Sequence, residues 1–170
     1  YMHIRDRAKA RGLLLEWKKR VEATGELSLL SYREEIEAVL RTEHFSGISL
    51  LGLQDFPGQG TALVGMINAH LKPKSFDFGR PERFHQFFSD SVPLLLLDKY
   101  TYVTGEILTA EVKIANYSKT DIHKSCNVSI YEGNSLISKQ TLPVKLYLRQ
   151  TFFSSNSQHQ SARHANITAA

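Results

Sequence analysis

Cysteine is almost missing from this sequence of 170 residues: Cys126 stands alone. One thiol excludes an intramolecular disulfide and any zinc cluster built on several cysteines, and it says nothing of the redox compartment. Long apolar runs are missing as well. The longest candidate, Val92 to Leu97, falls far short of the roughly 18 to 20 residues that a membrane-spanning helix needs, so no membrane partner is expected. The first residues, Tyr1-Met-His-Ile-Arg-Asp-Arg7, are charged and do not read as a secretory signal; an export signal would have to lie upstream of Tyr1. A one-signed charge patch is also lacking. The formal net charge is +4, yet Arg5, Arg7, Lys9, Arg11, Lys18, Lys19 and Arg20 are interleaved with Asp6, Glu16 and Glu22. A nucleic-acid footprint would be a patch of one sign with aromatic or groove-reading elements beside it, so these residues read as a solvated helix face and no nucleic-acid partner is expected.

What is present suffices for a packed core. A hydrophobic content of 42% over this length fits one ordinary domain or two small ones. From Ile4 to Glu22 the residues Leu13, Leu14, Trp17 and Val21 recur at helical spacing, which predicts an amphipathic helix ending near Gly25 with Trp17 in the core. Ser31-Tyr-Arg-Glu34 has the pattern of a capping box and predicts a second helix, with Tyr32, Ile36, Val39 and Leu40 as its buried stripe. The run Gly47 to Phe56 does not alternate, as expected of a parallel strand buried on both faces. Thr61 then caps a helix reaching His70, with Leu63, Val64, Ile67 and Leu71 on one side and Gly65 allowing a close approach. Pro81 opens a further helix that buries Phe84, Phe87 and Phe88.

Past Val92 the period changes to two. Leu108, Ala110, Val112 and Ile114 alternate with more polar neighbours, and so do Cys126, Val128 and Ile130, which implies a buried thiol; Gly133-Asn134 supplies a turn. The expected organisation is α/β then β, with an α/β part over residues 1–91, a β-sandwich part over 92–148, and a stretch 149–170 that is disordered or non-native. That last stretch is rich in Ser, Gln, His, Asn and Ala and has no usable period.

The chemistry concentrates where the apolar run Ile48 to Leu53 stops at Gln54, Asp55 and a glycine-rich loop. Ligands of parallel α/β proteins sit at the carboxyl ends of strands, and Gln54 and Asp55 occupy that end. An ionised Asp55 accepts two hydrogen bonds from vicinal hydroxyls, and Gln54 both donates and accepts, a combination suited to a polyol such as a sugar. Gln59, in the loop, is the third candidate for substrate binding. The plainer reading is that Asp55 braces the Pro57-Gly-Gln-Gly60 loop through backbone donors, and both readings stay open on the residues alone.

The Gly58-Gln-Gly60-Thr61 loop at a helix start also invites a phosphate-binding reading, which keeps a nucleotide-binding α/β domain as a minor alternative. It departs from a dinucleotide fingerprint, which needs a third glycine three residues after Gly60, and lacks the lysine of a P-loop. His44 lies before the run, where residues serve stability; Glu34, Glu35 and Glu37 read as helix surface, and Tyr100 and Tyr102 as sheet residues. His159 and His164 are weakly spaced for metal. No nucleophile triad, metal pattern or cofactor motif stands out. Asn-X-Ser/Thr triplets begin at Asn116, Asn127 and Asn166, with meaning only in a eukaryotic secretory pathway.

The strings Tyr32-Arg-Glu-Glu-Ile-Glu-Ala-Val-Leu-Arg-Thr42 and Leu50-Leu-Gly-Leu-Gln-Asp-Phe-Pro-Gly-Gln-Gly-Thr-Ala-Leu-Val-Gly65 resemble bacterial glycoside hydrolase family 2 proteins of the sugar-binding or β-galactosidase-like branch. The resemblance runs from about Ile4 to Asn116. It implies the last βα portion of a (β/α)8 barrel followed by a partial immunoglobulin-like β-sandwich, with Asp55-Phe56 at the end of the eighth strand. Where better-known members carry a sugar-lining tryptophan, this chain has Leu51, and the sugar therefore stays unnamed. Members are retaining enzymes that use two glutamates about 5 Å apart. Those glutamates come from the fourth and seventh strands, upstream of the part resembled, so no catalytic residue is expected here. The implied partners are a carbohydrate substrate and the rest of the parent chain, which would complete the barrel; alone, the chain is expected to be inactive. A non-catalytic carbohydrate-binding or structural piece is the alternative.

Overall fold

The computed structural model describes residues 2–42, 45–58, 64–146, 150–160 and 165–169. Among these residues come α1 (Met2–Ala10), α2 (Leu14–Arg41), a 3-10 turn (Asp77–Gly79), α3 (Pro81–His85) and the strands β1 (Ser91–Leu97), β2 (Ile107–Asn116), β3 (Ile122–Glu132), β4 (Ser135–Leu146), β5 (Gln150–Gln160) and β6 (Ala165–Ala169). The chain divides into two compact units. Tyr1–Ile36 groups with Ser46–Phe88, and Glu37–Phe45 with Ser89–Ala170.

In the first unit the helix break falls at Gly12, not near Gly25. Gly12 takes φ +69°, its N–H donates to the Lys9 carbonyl at 3.0 Å, and the Leu13 N–H donates to the Ala8 carbonyl at 2.9 Å. These two bonds together form a Schellman motif, which satisfies the last carbonyls of α1 and turns the chain out of the helix. Helix α2 then runs through both Gly25 and Ser31. Ser31 is therefore no cap: its hydroxyl donates to the Leu27 carbonyl one turn back, at 3.0 Å. Gly25 stays helical because its bare Cα faces the Phe78 ring, which occupies the space a Cβ would need.

Leu29 and Ile36 are the buried residues of α2, with Tyr32 half-buried between them. Trp17 lies about a third of a turn from Leu29 around the helix, at 100° per residue, and is 43% exposed instead of in the core. Pro81 does open α3 at the first helical position, and Phe84 meets Tyr32 edge-on with ring centres 5.7 Å apart. Phe87 is buried, whereas Phe88 is half exposed.

Gly47 to Phe56 is not a strand. Its ordered pairing is one isolated parallel bridge, Gln54 with Ile67, and Leu51 is 95% exposed. A strand buried on both faces needs neighbours at both edges and a layer over each face, and among the described residues Ile67 alone pairs with it. The helix expected from Thr61 to His70 is likewise absent over 64–70, while 61–63 lie outside the described residues. Asn68 is the reason: its side-chain oxygen accepts from the His70 and Lys72 N–H groups at 2.9 and 3.1 Å, and Ile67 pairs antiparallel with Pro73. An asparagine that binds the backbone two and four residues on favours a tight turn over a helix.

The second unit holds two antiparallel three-stranded sheets, ordered β1-β2-β5 and β4-β3-β6. β1 runs against β2 from Ser91↔Asn116 to Leu97↔Ala110, and β3 and β4 form a hairpin over Gly133-Asn134, with Gly133 at φ +60°. The alternation places Val112 from one sheet against Cys126, Val128 and Leu142 from the other, with Leu95, Ile114 and Ile122 packed around them. A second cluster joins Val92, Leu94 and Ala115 to Leu40. Each such buried aliphatic side chain stabilises the fold by about 1.5–3 kcal/mol relative to exposure.

Two expectations change in this unit. Tyr100 and Tyr102 lie in the β1–β2 connection, not in a strand. That connection is closed by Lys99, whose ammonium reaches both oxygens of Glu106 at 2.7 Å, and by the Val103 N–H, which donates to the same carboxylate. The stretch 149–170, expected to be disordered or non-native, contributes β5, paired with β2 from Ile107↔Gln160 to Asn116↔Gln150, and β6, paired with β3. Ladder pairing uses backbone groups, so the open edges of β2 and β3 can recruit a polar segment without any apolar period.

Candidate functional site

The polar cluster forms where residues 53–55 cross residues 65–67. The Asp55 N–H donates to the Ile67 carbonyl at 2.9 Å, and the Ile67 N–H to the Leu53 carbonyl at 3.1 Å. The two backbones approach closely because Gly65 has no side chain: a Cβ there would lie 2.6 Å from the Leu53 oxygen. That contact puts the Gly65 N–H 2.9 Å from Asp55 Oδ1, to which it donates.

Asp55 is 7% exposed and faces a cation. Lys74 Nζ lies 3.0 Å from Oδ1, with the two side chains 19% and 8% exposed, so the pair is shielded from water on most sides. Gln54 is exposed and turns its amide onto the Ala69 carbonyl at 3.0 Å. Two of the three candidate residues thus meet at one crossing, each holding the 65–74 segment; Gln59 lies outside the described residues.

Beside the crossing is an open, mainly apolar groove of about 650 Å³, lined by Leu50, Leu51, Phe56, Val64, Ile67 and Leu71 among others. Tyr32 reaches toward it from α2: its hydroxyl is 3.7 Å from where a Cβ on Gly52 would sit, and Gly52 takes φ +83°. Burial, helped by the charge of Glu35, pushes the Tyr32 phenol above its ordinary value, so it stays protonated and able to donate.

The other residues singled out earlier lie elsewhere. His44 is outside the described residues. Asn116 is fully buried, donating to the Thr120 carbonyl at 3.0 Å while its oxygen accepts from Ser118, which makes it a turn brace. Among the basic residues of the helices, Arg20 pairs with Glu16 and Lys18 with Glu22. Among the described residues, no group of three His, Cys, Asp or Glu side chains is placed to hold a metal ion, and no helix is long and apolar enough to cross a membrane.

Sequence reasoning missed Lys74. No motif ties it to Asp55; the Asn68 turn folds the chain back and delivers it. Its signal, weak before the turn is known, is a lysine one residue past the proline that closes that turn. No protein-family model matches the chain, and no curated protein matches it.

Proposed function

We propose that this chain is a portion of a glycoside hydrolase of the family 2 type, whose parent cleaves β-linked glycosides with retention. In this reading residues 1–91 belong to the end of a (β/α)8 barrel, 92–148 begin an immunoglobulin-like sandwich, and the catalytic glutamates lie outside this chain. The observation that carries it is Asp55, a carboxylate anchored by Gly65 and Lys74 just past the apolar 48–53 run and the parallel bridge of Gln54 with Ile67, its neighbours Gln54 and Phe56 lining an open groove. An anchored carboxylate offers hydroxyl groups a fixed acceptor, and an apolar groove suits the C–H faces of a sugar ring. The two antiparallel sheets after residue 90 also fit a sandwich following a barrel.

The test is made in the full-length parent. Asp55→Asn keeps an oxygen to accept from Gly65 but removes the charge, and kcat/KM on an aryl β-glycoside is expected to fall about ten- to a hundredfold, the worth of a charged hydrogen bond. A parent that neither binds nor hydrolyses β-glycosides would overturn the reading. The isolated chain is expected to show no turnover.

One observation favours the second reading, a non-catalytic carbohydrate-binding or structural piece: Asp55 is nearly buried, and its Oδ1 already serves Gly65 and Lys74. Strand-end glutamates encoded upstream of Tyr1 would argue for catalysis; their absence would leave this second reading.

A further inference from the structure

We propose that Lys74 is a positioning residue for Asp55, holding the carboxylate in one orientation where residues 53–55 cross residues 65–67. The inference rests on the glycoside hydrolase reading and adds a residue that no motif in the chain marks. Lys74 does not meet the sugar in this scheme; it acts through Asp55.

Three observations converge. The contact is 3.0 Å long and mostly shielded from solvent, so its attraction is screened far less than that of a surface pair. Both ends of the contact are tied to close backbone approaches. Gly65 holds the Asp55 side through the crossing already described, and on the Lys74 side a Cβ on Gly79 would lie 2.7 Å from the Lys74 carbonyl oxygen, which presses the lysine backbone against the 3-10 turn. The surroundings, by contrast, are loosely held: Leu51 is 95% and Phe56 58% exposed. Constraint is thus concentrated at the crossing, where Asp55, Gly65 and Met66 are buried, while Leu51 and Phe56 beside it are open. A group that must meet hydroxyls in a fixed geometry benefits from such constraint, because a displacement of about 1 Å can cost a hundredfold in rate.

The experiment compares Lys74→Met and Lys74→Arg in the full-length parent, with kcat and KM for an aryl β-glycoside measured beside the melting temperature. Lys74→Met is expected to lower kcat/KM about ten- to a hundredfold, and Lys74→Arg to restore most of it. A lower melting temperature with unchanged kinetics per folded molecule, or no advantage for arginine, would overturn the proposal. If Lys74→Met does not fold, a cycle of Asp55→Asn with Lys74→Gln decides: positioning predicts that the double variant is no slower than Asp55→Asn alone, and additive losses would contradict it. The glycosidase reading fails separately, through a wild-type parent without binding or turnover. Even then the positioning itself is read in this chain, where Lys74→Met should speed amide exchange at Gly65, and an unchanged rate would refute it.

Discussion

Among the described residues neither the 50–74 region nor the β1 to β4 region contains an α-helix, and the two are held together in opposite ways. Between β1 and β4 long antiparallel ladders bring aliphatic side chains from two sheets into shared clusters, and Leu94, Val92 and Val112 are essentially without exposed surface. Between residues 50 and 74 Met66 is buried, but the large aliphatic side chains of Leu51, Val64 and Leu71 are mostly exposed. Besides Met66, order there comes from a backbone crossing, an asparagine turn and one shielded ion pair. Extended chain is stabilised by burial when partners exist on both faces; where they are lacking, a few polar contacts fix single points and leave the rest open.

The strongest way to break this comparison is Leu94→Ala. If burial holds the sheets, the substitution should cost about 2–5 kcal/mol in urea unfolding, the range for emptying a packed aliphatic site. A loss under about 1 kcal/mol would mean that the site collapses freely and the ladders alone suffice.

Gly65→Ala probes the other region. Its methyl group would meet backbone at Leu53, Gln54 and Asp55, atoms that move only together, so about 1–3 kcal/mol is expected for overpacking. The effect should be local: amide exchange at Asp55 and Ile67 should accelerate while Val112 keeps its protection. Equal acceleration at all three would join what the comparison separates.

The smallest effect concerns Cys126, where burial pushes the thiol pKa up. The folded state then holds its proton to higher pH than the unfolded state. The associated stability is complete below the ordinary thiol range and is lost as pH rises through the raised value. Replacing Cys126 with Ala should flatten that alkaline decline, and iodoacetamide at pH 8 should label the native thiol only as fast as the protein unfolds. Rapid labelling of folded protein would show that the inter-sheet core admits reagent.

How much could be read in advance follows the same division. Period-two alternation, Pro81 and Gly133-Asn134 are local signals, and β2, β3, α3 and the hairpin turn follow from them. Asp55 was legible as a carboxylate at the end of an apolar run, but Lys74 was not, because their contact depends on the Asn68 turn. The two helix glycines could not be ranked either. Gly12 ends a helix and Gly25 does not, and what distinguishes them is an aromatic ring supplied much later in the chain. β5 and β6 escaped reading because ladder bonds leave no trace in side-chain pattern.

Gly25 also bears on how this sequence can change. Alanine is the better helix former by about 1 kcal/mol, so within an isolated α2 the exchange would be favourable. Here the added methyl group would fall inside the ring of Phe78. The benefit becomes accessible only after Phe78 has become smaller, and a smaller residue there first opens a void beside Gly25. Each single step costs stability while the pair together need not, so the sign of an exchange at one position depends on the residue at the other, for a reason visible in neither alone.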